Sequence, residues 1–236
     1  LYNIVKDSSF SLILPAAGEG TRMGTDIPKP YLLLKGKTVL ERTLSCFRQV
    51  DSLKQVIVST SDTYKKLTSE LLCRLFPGVD TVVVEGGARR QDSIYNAFQK
   101  VSDSISYVAV HDAVRPFIKM DKIIHCLNVS VESGAAIIGV PVKDTIKQVN
   151  ADGFIQNTPD RSLLWQAQTP QIFNKDLYKQ AFQFAQQKNA EVTDDASLFE
   201  AFGNNVRIVE GDRENFKLTY PIDFKIAEML VDTFKP

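Results

Sequence analysis

"LILPAAGEGTRMGTDIPKPYLLLKGK", residues 12–37, leaves an apolar run through Gly18, Gly20 and Gly24 and lays down Arg22, Lys29, Lys35 and Lys37. The small residues Ala16, Ala17 and Gly18 follow a strand-like run, and open α/β sheets bind ligands beyond the carboxyl ends of their strands. Four cations in one short loop need an anionic partner or much water. A solvated surface loop with incidental lysines is the plainer of the two readings.

Two familiar phosphate motifs do not fit. The dinucleotide fingerprint opens directly into a helix with an acid about 20 residues on. Here the third glycine is misplaced, Pro28 and Pro30 forbid an immediate helix, and Asp62 lies too far along. A Walker loop requires a glycine five positions before Gly-Lys-Thr, and Tyr31 stands there before Gly36-Lys37-Thr38. What remains is a long glycine-opened loop whose N–H groups and basic side chains can wrap a triphosphate.

Beyond the loop, short apolar runs at 11–15, 55–59, 81–84, 107–110, 135–141 and 206–209 alternate with helical patterns at 39–48, 63–75, 91–100 and 121–131. This rhythm predicts an α/β fold, a Rossmann-like, mostly parallel sheet with helices on both faces. Further helices are expected over 175–187, over 195–202 with Thr193 or Asp194 as N-cap, and from Pro221 onward. Between 142 and 168 no helix fits. "TIKQVNADGFIQNT", residues 145–158, alternates around Asp152-Gly153, a strong hairpin signal. A projecting β-hairpin arm of this kind is marginal alone and must pack on its own domain or on a second subunit. With no linker in sight, one domain over 1–236 is expected, the arm at about 142–168 inserted in it.

The chain has 236 residues, 44% hydrophobic and 24% charged, with 28 basic and 28 acidic side chains. Zero net charge argues against nucleic acid or a membrane surface as partner, so any anion site is local. Cys46, Cys73 and Cys126 form no C-x-x-C, and with His111 and His125 they show no metal-ligand spacing. An odd thiol count suits a reducing compartment. No apolar run approaches the roughly 20 residues of a membrane span. The chain begins at Leu1, which leaves room for a leader removed upstream.

"PAAGEGTRMG…PKPYL" resembles the signature of sugar-nucleotide-type nucleotidyltransferases, and within them the 2-C-methyl-D-erythritol 4-phosphate cytidylyltransferase family. "GGARRQDSI", "HDAVRPF", "VPVKDTIKQV", "DRSLLWQAQTPQIF", "TDDASLFEAFG" and "NFKLTYPIDFKIAE" follow in matching order along almost the whole chain. Ribitol-5-phosphate cytidylyltransferases are the nearest alternative, and a non-catalytic sugar-phosphate-binding module a further one. Pro30 and Ala88 depart from the family's pattern, which has glutamine and an acidic residue there.

The resemblance implies transfer of CMP from CTP to methylerythritol phosphate, with Mg²⁺ held mainly by CTP phosphates. It implies catalytic roles for Arg22, Lys29, Arg161 and Lys217. It places substrate contacts at Pro15, Ala16, Ala17, Gly18, Gly20, Gly87, Ala88, Arg90, Ser93, Asp112, Ala113, Arg115, Thr145 and Thr169. Thr145 and Arg161 would reach the site of the other subunit in a homodimer joined through the arm, while Phe173 and Trp165 are expected to be packing residues. Lys35 is expected to be solvated. The compartment implied is the cytoplasm, or a plastid for a plant chain that has lost a leader.

Overall fold

The computed structural model describes residues 8–18, 27–188 and 193–235. Its strands are β1 (Phe10–Pro15), β2 (Leu33–Leu34), β3 (Lys37–Thr38), β4 (Leu53–Thr60), β5 (Asp80–Glu85), β6 (Tyr107–Val110), β7 (Ala135–Pro141), β8 (Gln148–Val149), β9 (Ile155–Asn157), β10 (Trp165–Asn174) and β11 (Arg207–Glu210). Its helices are α1 (Val39–Ser45), α2 (Asp62–Leu75), α3 (Arg90–Phe98), α4 (Met120–Ser133), α5 (Lys175–Lys188), α6 (Asp195–Ala201) and α7 (Pro221–Val231).

Seven strands form one sheet in the order β11-β7-β10-β6-β1-β4-β5. Every neighbouring pair is parallel except those made by β10, which runs against both β6 and β7. Successive side chains of a strand face opposite sides, and β1 shows the consequence. Leu12 and Leu14 join one core with Leu44, Leu72 and Leu127 from α1, α2 and α4. Ile13 joins the other with Ile94, Tyr178 and Phe199 from α3, α5 and α6. Each such side chain, fully buried, contributes roughly 1.5–3 kcal/mol. Local chemistry sets the helix ends: Thr38 accepts from Glu41 N at 3.1 Å, and Asp194 caps α6 by accepting from Ser197 N at 2.9 Å.

β10 is the element the residue pattern concealed. Pro170 lies inside it, and proline removes a ladder donor, so such a run reads as loop. The chain accommodates it with a pairing irregularity: Ala167 pairs with Gly139, but Gln171 pairs with Ile137. Because the strand begins at Trp165, the projecting part ends earlier than 168. Phe173 is wholly buried and stacks on Tyr178 with ring centroids 4.9 Å apart. Trp165, at the root of the arm, remains over one-third exposed.

The arm is the β8–β9 hairpin. Asn150 Oδ1 accepts from Asp152 N and Phe154 N at 3.1 and 2.9 Å, and Gly153 takes the left-handed conformation at φ 85°. Its apolar residues stay in water: Phe154 is 70% and Ile155 61% exposed. Packing on its own domain, one of the two expectations for the arm, is not what these side chains do. Among the described residues, no helix is long and apolar enough to cross a membrane.

Candidate active site

The parallel strands β6, β1, β4 and β5 end at one edge of the sheet, and the turns leaving β1, β5 and β6 meet there. After β1, Ala16 N donates to Ser59 O at 2.7 Å, which lays the small-residue run against β4. Gly20 and Arg22 lie outside the described residues. The chain then reaches a 3-10 turn at Lys29–Tyr31. The Tyr31 hydroxyl meets Thr60 and Thr68, and its ring stacks on Tyr64 at 3.9 Å. Lys29 therefore stands on an anchored turn, mostly buried, and its Nζ donates to Thr219 O at 2.9 Å.

The β5–α3 turn supplies the facing wall. A Cβ on Gly86 would lie 2.1 Å from Ala17 Cβ, and one on Gly87 would lie 2.3 Å from Asp92 Cβ. Glycine is required at both positions by close approach, and Gly86 seats the turn on the alanine run that follows β1. Gly87 N donates to Ser93 Oγ at 2.9 Å, so this buried hydroxyl holds the turn. Asp92 Oδ2 accepts from Arg89 N at 3.1 Å and caps α3.

After β6 comes Asp112, 7% exposed and surrounded by cations. Its Oδ2 lies 3.0 Å from Arg115 Nε and 3.2 Å from Lys217 Nζ, and its Oδ1 lies 3.6 Å from Arg90 Nε. Burial pushes this carboxyl up, but Lys217, Arg90 and Arg115 outweigh burial and hold it well below the usual carboxylate range. Arg90 is gripped from behind by Asp195 at 2.9 Å. Burial works to lower the Arg90 pKa, and Asp195 and Asp112 more than reverse that. Tyr178 donates its hydroxyl to the other oxygen of Asp195.

A polar relay sets the Asp112 turn. Asp112 N donates to Thr169 Oγ1 at 3.0 Å, and that hydroxyl meets His111 Nδ1 at 3.0 Å. His111 Nε2 meets Arg115 O at 3.1 Å. Donation by Thr169 leaves Nδ1 the acceptor and Nε2 the donor, which is a neutral imidazole. Burial lowers the His111 pKa to about 4, in agreement with that tautomer.

These elements enclose a cleft of about 650 Å³, within the range of small-molecule sites. Pro15, Ala16, Ala17 and Gly18 line one side, and Gly87, Ala88, Arg90 and Ser93 the other. Lys29 and Lys217 close it, with Asp112 and Ala113 at its base. Arg115 and Thr169 lie behind Asp112 rather than in the lining. Thr145 and Arg161 are exposed on the arm side and do not line the cleft of their own chain. Arg161 donates to Lys143 O at 2.9 Å. Lys35, expected to be solvated, is exposed and pairs with Asp232 on the segment after α7. Sequence reasoning missed Arg89, which lines the cleft; an Arg-Arg pair just before a helix was the signal. Asp195 carried no local signal for its contact with Arg90.

Among the described residues, Lys29, Arg89, Arg90, Lys217 and Asp112 are the charged side chains that line this cleft at the strand ends of an α/β fold. The family model of 2-C-methyl-D-erythritol 4-phosphate cytidylyltransferase matches residues 10–233, and the chain belongs to that family. It is 43% identical to 2-C-methyl-D-erythritol 4-phosphate cytidylyltransferase of Symbiobacterium thermophilum over 222 residues, 94% of this chain and 92% of the relative. The chloroplastic enzyme of that name from Oryza sativa is 36% identical over 228 residues, 97% of this chain and 76% of the relative. Among solved structures, 4-diphosphocytidyl-2C-methyl-D-erythritol synthase from Anaerococcus prevotii superposes with a TM-score of 0.87 at 26% identity, covering 98% of this chain and 99% of that one.

Proposed function

We propose that the chain transfers CMP from CTP to 2-C-methyl-D-erythritol 4-phosphate, giving 4-diphosphocytidyl-2-C-methyl-D-erythritol and pyrophosphate for isoprenoid precursor synthesis. The observation that carries this reading is the cationic cleft: among the described residues, Lys29, Arg89, Arg90 and Lys217 line it against a single carboxylate. A phosphate oxygen of the acceptor attacks the α-phosphorus of CTP in line. One P–O bond forms, the bond to the β-phosphate breaks, and pyrophosphate leaves with the electron pair. Both reactants are polyanions, so the chain's task is to offset charge and fix geometry.

In this reading Arg22, Lys29 and Lys217 grip the phosphates, and the N–H groups after β1 approach them across Ala16, Ala17, Gly18 and Gly20. Gly87, Ala88, Arg90 and Ser93 receive the base and ribose, with Pro15 and Ala113 as walls. Asp112, braced by Arg115 and Thr169, orients Lys217 and Arg90. A divalent metal fits these residues if it arrives on the nucleotide, because Asp112 Oδ2 already serves Arg115 and Lys217, and Oδ1, 3.6 Å from Arg90 Nε, is the less engaged oxygen. Mg²⁺, when bound, neutralises phosphate charge and keeps most of its waters. The chain acts as one domain over 1–236 whose arm seats on a second copy, and Thr145 and Arg161 then serve the partner's cleft. Its place is the cytoplasm, or a plastid if a plant leader has been removed.

Pyrophosphate release tests this directly, with CTP or UTP, with methylerythritol 4-phosphate or ribitol 5-phosphate, and with or without Mg²⁺. Release is expected only with Mg²⁺, CTP and methylerythritol 4-phosphate together. Equal or better turnover with ribitol 5-phosphate reassigns the acceptor, and no turnover in any mixture leaves a binding module.

A further inference from the structure

We infer that Asn215 is a positioning residue for Lys217, acting through an amide clasp with Gln168 that pins an irregular segment to β10. The inference rests on the proposed reaction and on Lys217 meeting the phosphates.

Lys217 lies between β11 and α7, in a stretch with neither helix nor strand. A cation that works by preorganised geometry needs its backbone held. Two buried anchors flank it. Leu218 N donates to Val114 O at 2.9 Å, and its side chain packs with Leu34, Val39 and Phe117. Asn215, wholly buried, is the polar anchor. Its Nδ2 donates to Gln168 Oε1 at 3.1 Å and to Thr169 O at 2.9 Å, while Gln168 Nε2 donates to Asp212 O at 3.0 Å. The backbone carbonyls at both ends can only accept, so they fix the orientation of both amides.

The clasp sits where the sheet leaves a gap. The irregularity in β10 takes residues 168–170 out of register with β7, and a buried carbonyl without a donor is costly. Asn215 supplies the donor that the ladder lacks. The connection then closes on itself: Asn215 O accepts from Arg115 Nη1 at 2.9 Å, and Arg115 Nε holds the same Asp112 oxygen that pairs with Lys217. Both the backbone and the charged end of Lys217 thus depend on where Asn215 stands.

A double-mutant cycle separates positioning from bulk stability. Asn215→Ala is measured by pyrophosphate release in the wild-type and Lys217→Ala backgrounds, beside thermal melting of all four proteins. Loss of a partner that orients a metal ligand commonly costs about 10–100-fold, and by analogy kcat/KM is expected to fall on that scale in the wild-type background. In the Lys217→Ala background it should fall less than about threefold, because the group being positioned is gone. Gln168→Met breaks the clasp from its other side and should repeat the pattern more weakly; it decides the matter if Asn215→Ala does not fold. Equal losses in both backgrounds, or wild-type activity in Asn215→Ala, overturn the inference while leaving the proposed reaction intact. A wild-type protein without turnover defeats the proposed reaction and this inference together.

Discussion

In the cleft, charge is drawn out of water: Asp112 sits 7% exposed among Arg90, Arg115 and Lys217. In the arm, apolar surface is pushed into water: Phe154, Ile155 and Val149 are all more than half exposed. Both regions run against the usual partition of residues between core and surface, but they are not alike in completeness. The cleft's buried carboxylate is paired within its own chain, as buried charge must be. The arm's side chains have no counterpart on their own domain, and contiguous exposed apolar patches mark interaction surfaces. One region is completed within the chain, and the other leaves its apolar side chains exposed.

The cleft is broken most severely through Lys29. Removing one preorganised charge donor commonly costs 10²–10³ in kcat, about 3–4 kcal/mol. Lys29→Ala is expected to lose activity on that scale in steady-state pyrophosphate release, with a melting temperature lower by only a few degrees. A loss under tenfold removes Lys29 from the phosphates.

The arm is broken next. Two buried anchors at an interface contribute on the order of 2 kcal/mol each, so Phe154→Ser with Ile155→Asp should convert a dimer to monomer in sedimentation while the domain still melts cooperatively. Mixing Lys29→Ala with Arg161→Ala should restore activity, since each mixed dimer then has one intact site. No recovery after demonstrated subunit exchange contradicts a shared site.

A smaller effect belongs to the relay behind the cleft. His111 is held neutral, its pKa lowered by burial to about 4, against roughly 6.5 in the unfolded chain. Below that value the unfolded state binds a proton that the folded state refuses, so stability is lost as pH falls from about 6.5 towards 4. The loss at pH 5 is about 2 kcal/mol. Urea unfolding at pH 7 and pH 5 checks it, and His111→Gln should flatten the difference; an undiminished difference assigns the loss to other groups.

The smallest change is expected at Lys35. Its pair with Asp232 joins two side chains that are 40% and 64% exposed, and such pairs contribute about 0–1 kcal/mol. Lys35→Ala should keep activity within about twofold and lose its slight stability cost in high salt. A large loss of turnover would move the phosphate site along the loop.

Much of this was legible in the residue order. Short apolar runs marked β6 and β7 to the residue, Pro221 announced the start of α7, and the Thr193-Asp194 pair announced that of α6. The Asp152-Gly153 hairpin is likewise local, because backbone conformation there depends on a few adjacent side chains. β10 was hidden because its proline and glutamines are tolerated only by a particular register with β7. The environment of Asp112 was hidden too: its three cations come from positions 90, 115 and 217, brought together by strand order and not by chain order. The same holds for Asp195 behind Arg90 and for Asn215 reaching Gln168. Propensity, capping and turn chemistry act over a handful of residues, and they suffice to lay out the elements of this chain. Which charge faces which, and which carbonyl needs a distant donor, follows only once the sheet has packed and its edge has formed.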